Sequence, residues 1–262
     1  MNKKEQLTIA IIQFEPKWKD HEFNLKKISA LLLELEIPVD IIMLPESFTT
    51  GFSMKSKKIS VPMNHSSIKW MQEISEQYNA AVCGSLFVSE NNKFYNRFIW
   101  ASPNNSIKYY DKRHLFSIAD EDKTYTKGKK QLTIEYMGWR IFPQICYDLR
   151  FPVWSRNTSD YDLLINVANW PAARERAWRT LLKARAIENQ CYAIGVNRLG
   201  TDGNDIIYDG NSMIVDYKGK VIMNAENIEN VFTFQIDQTE LLNYRKKFNT
   251  LDDADQFKIT FD

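Results

Sequence analysis

Arg140-Ile141-Phe142-Pro143-Gln144-Ile145-Cys146 is a short, mostly apolar run that ends on a thiol. Its length and its isoleucines suit a buried strand. Two other strand candidates end in the same way on a reactive residue: the apolar Ile41-Ile42-Met43-Leu44 and Pro45 lead into Glu46, and the strand ending Lys108-Tyr109-Tyr110-Asp111 leads into Lys112. In open α/β sheets, ligands bind beyond the carboxyl ends of strands. A thiol, a carboxylate and an ammonium at three strand ends are therefore expected to face one pocket.

Outward from these runs, short apolar segments alternate with longer amphipathic ones, the pattern of an α/β fold. Strands are expected at 7–14, 39–44, 81–88, 98–101, 107–110, 132–136, 140–146, 163–168, 192–197, 212–216, 220–223 and 231–235. Helices are expected at 22–36, 66–78, 174–190 and 239–247. In the third helix, Trp178, Leu181, Leu182, Arg185 and Ile187 trace the inward stripe. Pro103-Asn104-Asn105, Met137-Gly138 and Lys218-Gly219 read as hairpin loops. No linker-like stretch or repeat divides the chain, so residues 1–262 are expected to form a single domain.

Composition closes off several functions. Basic and acidic residues number 34 and 33, for a net charge of +1, which leaves no overall electrostatic footprint for nucleic acid or an anionic membrane. The apolar run 7–12 is cut off by Gln13, Glu15 and Pro16, which suits a first strand better than a signal peptide, and no run is long enough to span a bilayer. The three cysteines at 83, 146 and 191 are odd in number and include no CxxC, as expected of free thiols in a cytoplasmic protein. The histidines His21, His65 and His114 form no HExxH motif, and neither a GxSxG elbow nor a phosphate-cradling glycine loop occurs. No metal or cofactor is implied.

The three strand-end residues suit acyl transfer. A free thiol titrates near ~8.5, so it needs a base. Glu46 can take the proton of Cys146 as attack begins and return it to a departing amine. Lys112 can stabilise charge on sulfur and on the oxyanion, with the Tyr147 backbone N–H as a second donor. Each residue also has an ordinary alternative: a packed thiol, a helix-capping carboxylate, a solvated ammonium. Cys83 and Cys191, in apolar strand settings, read as core.

The flanking residues add a resemblance. Leu44-Pro45-Glu46, Tyr110-Asp111-Lys112-Arg113-His114-Leu115-Phe116 and Ile145-Cys146-Tyr147-Asp148-Leu149-Arg150-Phe151-Pro152 resemble, in order and spacing, the three signature segments of the nitrilase superfamily. Thr49-Thr50-Gly51-Phe52, Val153-Trp154-Ser155-Arg156-Asn157, Ala168-Asn169-Trp170-Pro171, Arg185-Ala186-Ile187-Glu188-Asn189-Gln190 and the stretch 245–257 resemble its bacterial ω-amidase branch, which hydrolyses 2-oxoglutaramate and related ω-amides. The resemblance implies a four-layer α-β-β-α sandwich, pairing into a homodimer, and hydrolysis through a thioester on Cys146 with Glu46 and Lys112 as partners. It also implies a second, supporting glutamate seven residues before a glycine, here Glu121 before Gly128. One departure is Ala177, where relatives often carry histidine before the tryptophan of the long helix.

A small ω-amide with a distant carboxylate would need a cation, and arginine pairs with carboxylates in a bidentate fork. Arg150, Arg156, Arg174 and Arg198 are candidates. Asn169 and Trp170, following a strand, are expected to line the pocket, with Phe116 and Phe48 as walls. The same reactive set would serve another amidase, a carbamoylase or a nitrilase. A binding protein that has kept the fold is the alternative outside enzymes.

Overall fold

A computed structural model of the chain describes residues 2–260. Its first strand, β1 (Gln6–Gln13), sends Leu7, Ile9 and Ile11 to one side and Ala10 and Ile12 to the other. This is the period-two alternation of a strand, with both faces apolar. Such a strand is satisfied only between two layers.

Helix α1 (His21–Leu32) carries the chain to β2 (Ile41–Met43), and α2 (Ser56–Ile59) and α3 (Ser66–Tyr78) carry it to β3 (Ala81–Glu90). These strands run parallel. Hairpins add β4 (Lys93–Ala101) and β5 (Ile107–Asp111), and α4 (Glu121–Thr124) lies in the loop that follows. The second sheet repeats the scheme. β6 (Ile134–Tyr136) pairs antiparallel with β7 (Trp139–Ile145), which starts a parallel trio. From β7, α5 (Pro152–Ser155) leads to β8 (Leu163–Val167), and α6 (Glu175–Asn189) leads to β9 (Tyr192–Val196). A small hairpin, β10 (Leu199–Thr201) and β11 (Ile207–Asp209), precedes β12 (Met213–Val215) and β13 (Val221–Asn224). β14 (Asn230–Asp237) returns to pair with β1, and α7 (Gln238–Lys247) follows. The strand orders are β14-β1-β2-β3-β4-β5 and β13-β12-β9-β8-β7-β6.

The central core lies between the sheets, where Ile9, Met43 and Trp100 of one meet Ile141, Ile165 and Ile194 of the other. Outside the first sheet, Ile12, Ile42 and Val82 pack under Ile28 of α1 and Met71 of α3. Outside the second, Ala193 and Met213 pack under Trp178 and Leu182 of α6. The result is the four-layer α-β-β-α sandwich.

Several expected boundaries move. The strand expected to start at Phe98 begins at Lys93, because Asn91 and Asn92 both take left-handed φ and close a tight hairpin from β3. The helix expected to reach Glu36 stops at Leu32, with Leu33, Glu34 and Leu35 bonded three residues back instead of four. Within α6, Ile187 is exposed, and Ala186 and Asn189 join the inward face. The hairpin β10–β11 was not expected at all.

Candidate active site

Cys146 does not close its strand. β7 ends at Ile145, and Cys146 opens a 3-10 turn with a left-handed φ of 46°. A non-glycine residue holds that conformation only where its surroundings enforce it. Here the buried Asp148 accepts the Ile145 N–H at 3.1 Å, and Asn166 Nδ2 donates to the Cys146 carbonyl at 3.4 Å. A matching bend follows Glu46, where Ser47 has φ 42° and its N–H donates to Ser85 Oγ at 2.9 Å. Lys112 follows β5 directly. Its N–H donates to the Asn96 carbonyl at 2.9 Å, and its carbonyl accepts the Gly128 N–H at 2.8 Å. Gly128 lies so close to β5 that a Cβ there would sit 2.0 Å from the Asp111 carbonyl oxygen, so only glycine lets the loop carrying Glu121 close on the strand.

These bends bring the four expected residues together across the two sheets. Lys112 Nζ donates to Glu46 Oε1 at 3.0 Å and to Glu121 Oε1 and Oε2 at 3.1 and 2.9 Å. All three side chains are buried. Glu121 also accepts the Phe116 N–H at 2.6 Å. Asn169 fixes Glu46 from the second sheet: its N–H donates to Oε2 at 2.7 Å, and its Nδ2 donates to the Glu46 carbonyl at 2.8 Å and to Ser47 Oγ at 2.8 Å.

Asn96 was not singled out in the sequence, yet it joins both carboxylates. Its Nδ2 donates to Glu46 Oε1 at 2.7 Å and Glu121 Oε1 at 3.2 Å, while its Oδ1 accepts from Ser85 Oγ at 2.9 Å. Asp148 was also missed, although it stands two residues after Cys146. It accepts from Tyr110 at 2.8 Å and from the His114 N–H at 2.9 Å.

The charges explain the proton positions. Burial pulls down the proton affinity of Lys112, but Glu121 and Glu46 outweigh it and hold the ammonium charged well above its ordinary range. Burial raises the Glu121 carboxyl, and although Lys112 draws it back, Glu46 adds to the rise. For Cys146, burial and then the negative charge of Glu46 push the thiol well up, against the opposing pull of Lys112. Two carboxylates and one ammonium already leave the cluster short of positive charge, so a thiolate beside them is disfavoured and the resting sulfur keeps its proton. Burial lifts Cys191 to about 12 and raises Cys83 as well, and both sit in the core, as expected. Among the described residues, no group of three or more His, Cys, Asp or Glu could hold a metal ion.

A cavity of about 280 Å³ opens onto this cluster, lined by Glu46, Lys112 and Cys146 together with Tyr147, Asn169 and Trp170. Phe116 lines it too and packs edge-on against Tyr147, with ring centroids 5.0 Å apart. Of the four candidate arginines, Arg150 and Arg174 reach the cavity. Arg150 lies over the Trp170 ring at 4.8 Å, and Arg174 over Phe116 at 5.4 Å. Arg156 instead donates to the Glu188 carbonyl, and Arg198 is buried against Tyr208 with its Nε on the Leu199 carbonyl. Phe48 is no wall, because its side chain turns outward into the core beneath α1 and α3. Ala177 packs by the Trp178 cluster and lies outside the cavity lining. The unexpected hairpin supplies a further wall, through Asp202, Asn204, Ile206 and Tyr208, and Phe52 and Met54 supply another. The hairpin is seated by Gly203, where a Cβ would lie 2.2 Å from Trp18 Nε1.

Fold and cluster together define a hydrolase class. Residues 8–246 match the carbon-nitrogen hydrolase family model, and the chain belongs to that family of amide-hydrolysing enzymes. Within it, the chain is 41% identical over 254 residues to omega-amidase YafV of Escherichia coli strain K12, covering 97% of this chain and 98% of the relative. It is 31% identical over 251 residues to the 2-oxoglutaramate amidase of Bacillus subtilis strain 168, covering 94% and 96%. Among solved structures, XC1258 of Xanthomonas campestris, described as a CN-hydrolase superfamily protein with an arsenic adduct in its active site, superposes with a TM-score of 0.95 at 39% identity. That match covers 98% of this chain and all of that one.

Proposed function

We propose that the protein is an ω-amidase that converts 2-oxoglutaramate or 2-oxosuccinamate to the 2-oxo diacid and ammonia, with Cys146 as nucleophile. The observation that carries this reading is the convergence of Glu46, Lys112 and Cys146 on one small cavity that also holds Arg150. Arg150 stacks on Trp170 and belongs to no ion pair among the described residues, which suits it to a substrate carboxylate. The names of the Escherichia coli and Bacillus subtilis relatives support the same substrate class.

In this reading Cys146 Sγ attacks the amide carbon while Glu46 takes the thiol proton. The oxyanion is met by Lys112 and the Tyr147 N–H. Glu46 passes its proton to the nitrogen, the C–N bond breaks, ammonia leaves and a thioester remains. Water then attacks the thioester, again giving its proton to Glu46, and the acid departs as the thiol reforms. Glu121, bonded to Lys112 through both oxygens, holds the ammonium in place.

The experiment is ammonia release from 2-oxoglutaramate, with succinamate and a simple nitrile as comparators and Cys146→Ala beside the wild type. Turnover of the ω-amide that vanishes in Cys146→Ala is the expected result. Turnover of the nitrile alone would reject the substrate and keep the mechanism.

The setting is also a proposal. Three free thiols fit the reducing cytoplasm, and no helix among the described residues is long and apolar enough to cross a membrane. Ile187 of α6 and Leu242 of α7, with Phe248 just beyond, are exposed, which favours a homodimer through that helical side. Light scattering of the purified protein tests the homodimer.

A further inference from the structure

Beside the cavity lies a shallower depression of about 420 Å³ lined by Met54, Lys55, Lys57, Lys58, Phe94 and Lys123. Met54 lines both spaces, so the lysines lie next to the cavity. Lys19 lies within their electrostatic reach. It lies over the Trp18 ring at 4.7 Å, and Trp18 is the residue against which Gly51 and Gly203 of the cavity's flanks pack. Slight burial and then the charges of Lys55 and Lys58 lower the proton affinity of Lys19, a sign that these ammonium groups share one field.

Two of the nearby carboxylates are already paired, while Asp122 lies by Lys123 and Asp202 lines the cavity itself, where it accepts from Tyr208 and from two backbone N–H groups. Asp20 pairs with Lys17 at 2.9 Å, and Asp120 pairs with Lys123 at 2.7 Å. Lys19, Lys55, Lys57 and Lys58 form no ion pair among the described residues. In a chain whose net charge is only +1, this is a local excess of positive charge placed beside the cavity. Such an excess raises the local concentration of anions and their rate of entry, and salt screens it.

We propose that Lys19, Lys55, Lys57 and Lys58 form an electrostatic approach path that draws carboxylate-bearing molecules to the Cys146 cavity. The proposal rests on the anionic substrate class argued above. It adds that part of the selectivity for anions is exercised before the substrate touches Arg150.

Alkylation of Cys146 by two reagents of similar size tests the path without relying on any amide substrate. Iodoacetate is an anion and iodoacetamide is neutral. Their rates at Cys146, followed by mass spectrometry, are compared at about 20 and about 500 mM salt. In the wild type, the iodoacetate-to-iodoacetamide rate ratio should fall about three- to ten-fold with salt. In Lys55→Gln/Lys57→Gln/Lys58→Gln, the low-salt ratio should drop towards the high-salt value while the iodoacetamide rate stays unchanged, which also certifies the fold. A variant that keeps the wild-type ratio and salt dependence overturns the path, as does a wild type whose ratio ignores salt. If the ratio behaves as expected but no ω-amide is turned over, the substrate reading falls and the approach path stands.

Discussion

The Tyr110 hydroxyl donates to Asp148 Oδ2 at 2.8 Å, and this bond ties the strand that delivers Lys112 to the turn that presents Cys146. The same hydroxyl accepts from Trp154 Nε1 at 3.0 Å and from the Arg113 N–H at 3.1 Å. Burial, followed by the Asp148 charge, keeps the phenol protonated far above its ordinary range.

Tyr110→Phe should therefore cost more than one ordinary hydrogen bond. It strips two donors of their acceptor and leaves the buried Asp148 with one donor fewer, about 1–3 kcal/mol by the usual cost of unsatisfied buried groups. A melting point several degrees lower is expected, together with a reduced kcat at nearly unchanged KM. An unchanged melting point and kcat would show that the tie is dispensable.

Glu46→Gln should separate thiol acidity from catalysis. The carboxylate raises the Cys146 pKa, so its neutral replacement lets the thiol ionise at lower pH. The pH profile of iodoacetamide labelling at Cys146 should move down, while amide hydrolysis falls by about 10² or more with the loss of the proposed proton shuttle. Labelling that moves up instead would contradict the electrostatic account.

Asn96→Ala removes the amide that donates to both carboxylates. Hydrogen bonds to a carboxylate favour its charged form, so their loss should raise the acid limb of the pH profile of kcat/KM and lower kcat by about tenfold. Asn96→Asp, which adds a third carboxylate, should be worse than alanine. Equal pH limbs in wild type and Asn96→Ala would reduce Asn96 to packing.

The rings of His21 and His65 lie 5.6 Å apart between α1 and α3. Burial lowers both pKa values, and for His21 the neighbouring His65 lowers it further while Asp20 opposes. His65 Nδ1 accepts the Ser67 N–H, a helix cap that needs the unprotonated nitrogen. The unfolded chain thus binds protons more readily than the folded one. Stability should be full above the unfolded value of about 6.5 and decline as pH falls from there towards the lowered folded values. Melting points at pH 7.5 and 5 should differ more for the wild type than for His21→Gln/His65→Asn, and equal differences would exclude the pair.

Much of the cluster was legible because Lys112 and Cys146 directly follow strands and Glu46 stands three residues beyond one, and the strands before Glu46 and Cys146 announce themselves by apolar runs. Glu46, Lys112 and Cys146 needed only that rule and their neighbours. Asn96 escaped because the Asn91-Asn92 hairpin went unrecognised, so β4 was expected to start at Phe98, beyond it. The β10–β11 wall escaped for another reason: it is short and polar, and it is seated by contacts of Gly203 with Trp18 and of Thr201 with Glu15, nearly two hundred residues away in sequence. Phe48 and the four arginines show the same limit, since which way a side chain turns is decided by packing that no local pattern records.

Glu46 and Lys112 hang from one sheet, Cys146 and Asn169 from the other. In the proposed mechanism, a chain that has formed only half of the sandwich therefore has a thiol without its base or a base without its thiol. Competence appears with the docking of the two halves, so the onset of turnover during refolding would mark that event, as a lock responds only once both plates of the door have met.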